Sequence, residues 1–143
     1  MDHEFYMYVP SVHNTEEVLR EKVGNKYSVI VMCTSLDSAR DIMIAARKLH
    51  FDNGEYVFIN VDLFSSKEQS ERPWYRVNDT DERNEEARMA FETLMTVRQR
   101  EPHSMEYQKF SREVKRRASK IYPEFSYGND EVNSFVGIFH DAV

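Results

Sequence analysis

Three polar side chains fall where a parallel sheet would offer them to a ligand: Ser35, Asp62 and Glu101. Each follows a run rich in β-branched residues. In open parallel sheets, ligands meet the chain just beyond the carboxyl ends of the strands. Asp62 has the widest chemical range, because a carboxylate there can hold a metal, accept a phosphoryl group or bind a substrate amine. It can equally cap a neighbouring turn. The same strand ends also carry Cys33 and Thr34, Leu63 and Phe64, and Gln99 and Arg100. A different chemistry is written in Asn78-Asp79-Thr80, the acceptor pattern for an N-linked sugar with no proline in the middle. That tripeptide carries weight only in a loop exposed outside the cell.

The rest of the chain lacks the sets that catalysis needs. The five histidines, His3, His13, His50, His103 and His140, are scattered and share no metal-ligand spacing. Four glycines are present, none clustered at a strand-to-helix turn, so no phosphate-cradling loop or dinucleotide fingerprint forms. No nucleophile elbow occurs, and His140-Asp141 has no nucleophile to serve. These absences describe a binding or interaction domain without a cofactor, rather than a catalyst. The formal charge of −6 gives no footing for nucleic acid. Lys109, Arg112, Lys115, Arg116, Arg117 and Lys120 gather on one predicted helix beside Glu106 and Glu113, which reads as a solvated face.

Cys33 is the one cysteine, so no internal disulfide is possible. At the end of an apolar run it is expected to be a buried, inert thiol. A lone cysteine leans towards the cytosol only if the chain is whole. The opening MDHEFYMYVP lacks the long apolar core of a signal peptide, and no run approaches the length of a membrane span. With 143 residues, 41% of them hydrophobic, there is material for one core.

The elements that would position these groups centre on Tyr27 to Phe64. Val29 to Cys33 is a continuous apolar run, as in a strand covered on both faces. Leu36, Ala39, Ile42, Met43, Ala46 and Leu49 then recur at helical spacing. Thr34 or Ser35 caps that helix, and Asn53-Gly54 supplies its left-handed stop. Tyr56 to Val61 is the next strand, and two buried strands joined by a helix make a parallel α/β crossover. Upstream, Phe5 to Val9 reads as a short strand closed by Pro10. A helix follows from Asn14 or Thr15 to Gly24-Asn25. Downstream, the polar stretch after Phe64 is a surface excursion pinned by Pro73-Trp74. A helix from Asp81 turns Ala87, Ala90 and Phe91 inward, and Leu94 to Val97 is a strand. Ser104 to Tyr122 is a helix with Tyr107, Phe110, Val114, Ala118 and Ile121 on its inner stripe. The amphipathic closing segment around Val132, Phe135, Val136 and Phe139 breaks off at Val143 in mid-pattern, as expected of a truncated chain.

GEYVFINVDLF, then RPW, AFETLMTVRQREP, EYQKF and FHDA run in one order between Tyr27 and Val143. In that order and spacing the chain resembles the ligand-binding ectodomain of natriuretic-peptide-type receptor guanylyl cyclases, the ANF receptor family. The resemblance implies an α/β parallel-sheet lobe of the type I periplasmic-binding-protein-like fold, incomplete in this chain. Its strands run in the order 2-1-3-4-5. Phe5 to Val9 would be strand 2, Tyr27 to Cys33 strand 3, Tyr56 to Asp62 strand 4 and Leu94 to Val97 strand 5. The innermost strand and the other lobe would be missing, and residues 130–143 would lead towards that lobe. Such a piece is expected to be unstable or to aggregate alone.

The same resemblance implies a peptide hormone as ligand, a homodimeric parent receptor, and the extracellular side of the plasma membrane. Cyclase activity, converting GTP to cyclic GMP, and the membrane span would lie outside this chain. No hormone contact transfers to these residues, and Asn78 would bear a sugar. Three alternatives stand beside it. One is a free-standing flavodoxin-like regulatory domain, such as a receiver phosphorylated on Asp62, although no acidic cluster or correctly placed lysine accompanies it. Another is a clearance-type receptor of the same ectodomain family without a cyclase. The third is a transport-type binding lobe.

Overall fold

The structure, a computed structural model, describes residues 3–63, 71–98 and 104–125. Its centre is a parallel sheet of three strands, β1 (Val29–Met32), β2 (Val57–Asp62) and β3 (Leu94–Arg98), in that spatial order. Both pairings are parallel, with Ile30 opposite Phe58 and Asp62 opposite Arg98. Four helices complete the described elements. These are α1 (Thr15–Val18), extended by a wider π turn over Leu19–Val23, α2 (Leu36–Lys48), α3 (Asp81–Phe91) and α4 (Met105–Ile121). The chain divides after Arg98 into two units, the second containing α4. This is the expected α/β arrangement, with strands 3, 4 and 5 of the predicted lobe present as β1, β2 and β3.

Local chemistry sets each boundary. The Asn14 side chain caps α1 by accepting the Glu16 and Glu17 N–H groups. Its continuation closes on the Gly24 N–H, which donates to the Leu19 carbonyl at 2.9 Å. Gly24 has φ +38°, and a Cβ there would stand 2.5 Å from the Arg20 carbonyl oxygen, so only glycine fits. Ser35 caps α2 by accepting the Ser38 N–H at 3.3 Å, with Asp37 in the first turn. The end of α2 departs from expectation. The left-handed residue that ends the helix is His50 (φ 57°); Gly54 also has positive φ (90°) but lies beyond the helix end. His50 N–H donates to Arg47 and Phe51 N–H to Ala46, a Schellman closure that satisfies the last carbonyls. Phe51 then stacks on Tyr56 at 4.2 Å, and the Tyr56 hydroxyl donates to the Gly24 carbonyl at 2.8 Å.

One core joins the elements of the first unit. Leu19, Val23, Met32, Ala39, Met43, Ala46, Phe58 and Ala90 form a buried cluster, with Ile30 and Leu94 packed against it. Every sheet residue in it comes from one face, so α1, α2 and α3 serve that face. Here the expectation of a sheet covered on both sides fails. Val29, Val31, Met95 and Val97 on the opposite face are exposed, Val31 to 60%. Cys33 continues their alternation and is likewise exposed, not the buried thiol expected.

Phe5 to Val9 does not form a strand. None of the described strands pairs with it, and an extended segment without a ladder leaves its N–H and C=O groups unsatisfied. It is held instead by a turn. The Val12 and His13 N–H groups donate to the Val9 carbonyl, the Val9 N–H donates to His13 Nδ1, and the Tyr8 hydroxyl meets Thr15 Oγ1.

In the second unit, Ser104 caps α4 by accepting the Tyr107 N–H. Tyr107, Phe110, Val114 and Ala118 are half-buried as expected, whereas Ile121 is exposed and Ser111 is the buried residue. Phe64, Gln99, Arg100, Glu101 and the closing segment 130–143 lie outside the described residues.

Candidate functional site

The predicted ligand edge is the row of strand carboxyl ends. Ser35 sits just after β1, exposed, and its hydroxyl is used within the helix cap, 3.2 Å from the Ser38 hydroxyl. Asp62 closes β2 and is buried. Its carboxylate lies 3.4 Å from Arg98 Nε, directly across the β2–β3 register. That cross-strand ion pair gives Asp62 a cationic neighbour where a phosphoacceptor needs an acidic cluster and a metal. Among the described residues, no three of His, Cys, Asp and Glu come together as metal ligands. Ser35 and Asp62 therefore follow neighbouring strands but engage different partners.

Beside Asp62 on the covered face lies Asn60, fully buried, with neither its amide oxygen nor its nitrogen hydrogen-bonded. Its strand neighbours are Met32 and Thr96. Towards the carboxyl ends the covered face thus changes from Phe58 and Leu94 to Asn60, Asp62, Thr96 and Arg98.

A larger polar cluster among the described residues lies elsewhere and was missed in the sequence. Arg40, on α2, is only 4% exposed. Its Nε donates to the Trp74 carbonyl at 2.6 Å, its Nη2 to Asn84 Oδ1 at 3.2 Å, and its Nη1 pairs with Asp79 at 2.8 Å. Asn84 of α3 is also buried, accepting the Arg76 N–H and donating to the Arg76 carbonyl, each at 2.9 Å. Arg76 in turn pairs with Asp37 at the start of α2. Burial pushes the Asp79 carboxyl up. The Thr80 N–H and the Arg40 and Arg83 guanidinium groups outweigh it and hold the carboxyl below its ordinary range.

A guanidinium taken out of water needs its donors filled and its charge met. Arg40 finds both in the segment 74–84, which it fastens to α2. Pro73 is buried and Trp74 packs edge-on to Phe91 at 6.4 Å, so the loop is pinned as Pro73-Trp74 suggested, with Arg40 as the bolt. The available signal was spacing: Arg40 stands four residues after Leu36 and three before Met43, inside the apolar stripe of α2. Asn84 stands three residues before Ala87 and seven before Phe91, likewise on the inward stripe of its helix.

Asn78 lies on the outer side of this pinned loop and is exposed, while Thr80 caps α3 by accepting the Arg83 N–H at 3.2 Å. On α4 the basic residues form a solvated face with internal pairing. Glu113 accepts from Arg116 at 2.6 Å and from Arg117 at 2.8 Å, and their guanidinium groups push its carboxyl down to about 2. No helix among the described residues is long and apolar enough to cross a membrane.

With this geometry in place, comparison with known proteins is informative. The family described as "Receptor family ligand binding region" matches residues 7–143. Receptor-type guanylate cyclase gcy-28 of Caenorhabditis elegans is 43% identical over 129 residues, 87% of this chain and 10% of that protein. Human atrial natriuretic peptide receptor 3 is 36% identical over 128 residues, covering 90% of this chain and 22% of the receptor. Human atrial natriuretic peptide receptor 2 is 29% identical over 121 residues, 80% of this chain and 11% of the receptor. The chain thus spans between a tenth and a quarter of the length of these relatives.

Proposed function

The chain belongs to the receptor family ligand binding region family, among the natriuretic peptide receptors, and from that premise we propose that it is part of an extracellular hormone-binding domain. The parent protein is a receptor guanylate cyclase of the plasma membrane. It binds a peptide hormone as a homodimer and answers by making cyclic GMP from GTP in a domain outside this chain. Residues 1–143 belong to its membrane-proximal lobe, and 130–143 lead towards the other lobe. The observation that carries this reading is the 43% identity to a receptor-type guanylate cyclase across 87% of the chain. The parallel order β1-β2-β3 supports the placement in an α/β lobe. Ser35, Asp62 and Glu101 belong to the lobe's cleft edge, where the Asp62–Arg98 pair suits a shaping role better than a chemical one. Asn78 carries the N-linked sugar.

A second reading keeps the hormone and drops the cyclase. It is favoured by the 36% identity to atrial natriuretic peptide receptor 3. The matched 128 residues make up 22% of that relative, against 10% for 129 residues of the receptor-type guanylate cyclase, so it is a much shorter protein. One experiment separates them. The full-length parent is expressed in cells, and binding of radiolabelled natriuretic-type peptide is measured together with cyclic GMP. Saturable surface binding with a rise in cyclic GMP is expected. Binding without that rise selects the second reading, and an absence of binding removes the hormone role.

A further inference from the structure

Asn78 and Thr80 of the acceptor tripeptide are exposed and Asp79 is half-buried, yet the tripeptide is built into the pinned loop, and each of its residues does structural work or adjoins it. The Asp79 carboxylate meets buried Arg40 at 2.8 Å and Arg83 at 3.2 Å. The Asp79 N–H donates to the Arg76 carbonyl at 3.3 Å, and Arg76 is itself clamped by Asn84 through both backbone groups. The Thr80 hydroxyl accepts the Arg83 N–H as the cap of α3. Sugar transfer reads the Asn side chain together with the hydroxyl two residues on. Lifting Asn78 to Thr80 into a transferase groove would withdraw the partner of a buried guanidinium and uncap a helix at once.

We propose that Asn78 is a modification site readable only before the 74–84 segment folds, so that closure of the Arg40 clamp ends its eligibility for the sugar. This rests on the extracellular reading above. The chemistry is glycosyl transfer from a lipid-diphosphate-linked oligosaccharide. Asn78 Nδ2 forms a bond to the anomeric carbon of the first sugar. The bond from that carbon to the diphosphate oxygen breaks, the lipid diphosphate leaves with the electron pair, and the amide gives up one proton. Once attached, the sugar is tolerated because Asn78 faces solvent. Occupancy is then set by a race between transfer and folding.

The test uses the whole parent ectodomain in two arms. In one it is translated into microsomes holding the transferase. In the other it is first folded without membranes, purified, and then offered solubilised transferase with the lipid-linked donor. Asn78→Gln identifies the band shift that belongs to this site. The expected result is an endoglycosidase-sensitive shift in the first arm and its loss in the second. Opening the clamp with Arg40→Ala should restore the shift in the folded arm. Asp79→Asn, which keeps both the acceptor pattern and the Thr80 cap, serves the same purpose should Arg40→Ala fail to fold. Equal modification in both arms overturns the inference while leaving Asn78 a sugar site. Absence of the shift in both arms overturns the sugar reading, and the inference with it.

Discussion

Ile30, Met32, Phe58 and Leu94 on one face of the sheet pack into the core formed with α1, α2 and α3. Val29, Val31, Met95 and Val97 on the other face stand exposed, although they are just as apolar. The covered face also carries Asn60, Asp62, Thr96 and Arg98, so composition by itself would rank the two faces the other way. What ranks them is the supply of helices, and the core cluster draws on one face only. The difference teaches that apolarity states a demand for cover, whereas burial records whether a neighbour met it. In layered α/β folds helices stand on both faces of the sheet, and here the core cluster draws on one of them.

The comparison breaks most sharply at Phe58, fully enclosed on the covered face. In the parent ectodomain, Phe58→Ala should cost about 3–5 kcal/mol, read as a lowered urea midpoint at unchanged slope. Arg40→Ala should follow at about 3 kcal/mol, because the change strands buried polar groups and frees the 74–84 segment. Limited proteolysis within 71–80 would report the freed loop; resistance equal to wild type would contradict the clamp. Asn60→Leu tests the covered face from the other direction. Replacing a buried amide that has no hydrogen-bond partner should raise stability by about 1 kcal/mol, and a fall would show that the amide is satisfied in solution. Val31→Thr is the counterpart on the open face. In the parent ectodomain it should change stability by less than about 0.5 kcal/mol if the face stays open, and a clearly larger cost would show that the face is covered there.

The smallest expected effect is a pH dependence centred on the clamp. The Asp79 carboxyl is held below its ordinary range in the folded chain. A depressed carboxylate contributes stability that is present above its unfolded value and lost as pH falls through the folded one. Acid titration of unfolding should therefore show a slope below the ordinary aspartate range, about pH 3.9. Asp79→Asn should flatten it, and an unchanged slope would separate Asp79 from acid sensitivity.

Much of this architecture was legible before any coordinates. Periodicity located α4 at both ends and the start of α2 to within a residue or two, because an apolar stripe at helical spacing and a Ser cap are local signals. The end of α2, by contrast, fell several residues before the expected Asn53-Gly54. The three strands were legible as β-branched runs, and their parallel pairing followed from the helices between them. Phe5 to Val9 misled because a strand's identity depends on a ladder partner that no local pattern reveals. Cys33 misled for a related reason: the alternation that buries Met32 turns its neighbour outward, and only the packing says which side has cover. At the candidate site, Asp62 was found and its pairing with Arg98 was not, since register belongs to the sheet.

By itself the sequence determined the types of the described helices and strands, where α1, α2 and α4 begin (Asn14 or Thr15, Thr34 or Ser35, and Ser104), the acceptor tripeptide at Asn78 and membership of a receptor family. Each rests on residues close together in the chain, or on motifs in a fixed order. Tertiary structure alone decided which face of the sheet is buried, that Arg40 is a bolt rather than a surface charge, and that Asp79 is its partner. The clamp alone joins residues 39 and 44 positions apart, Arg40 with Asp79 and with Asn84, and a guanidinium is buried only when distant groups arrive to satisfy it.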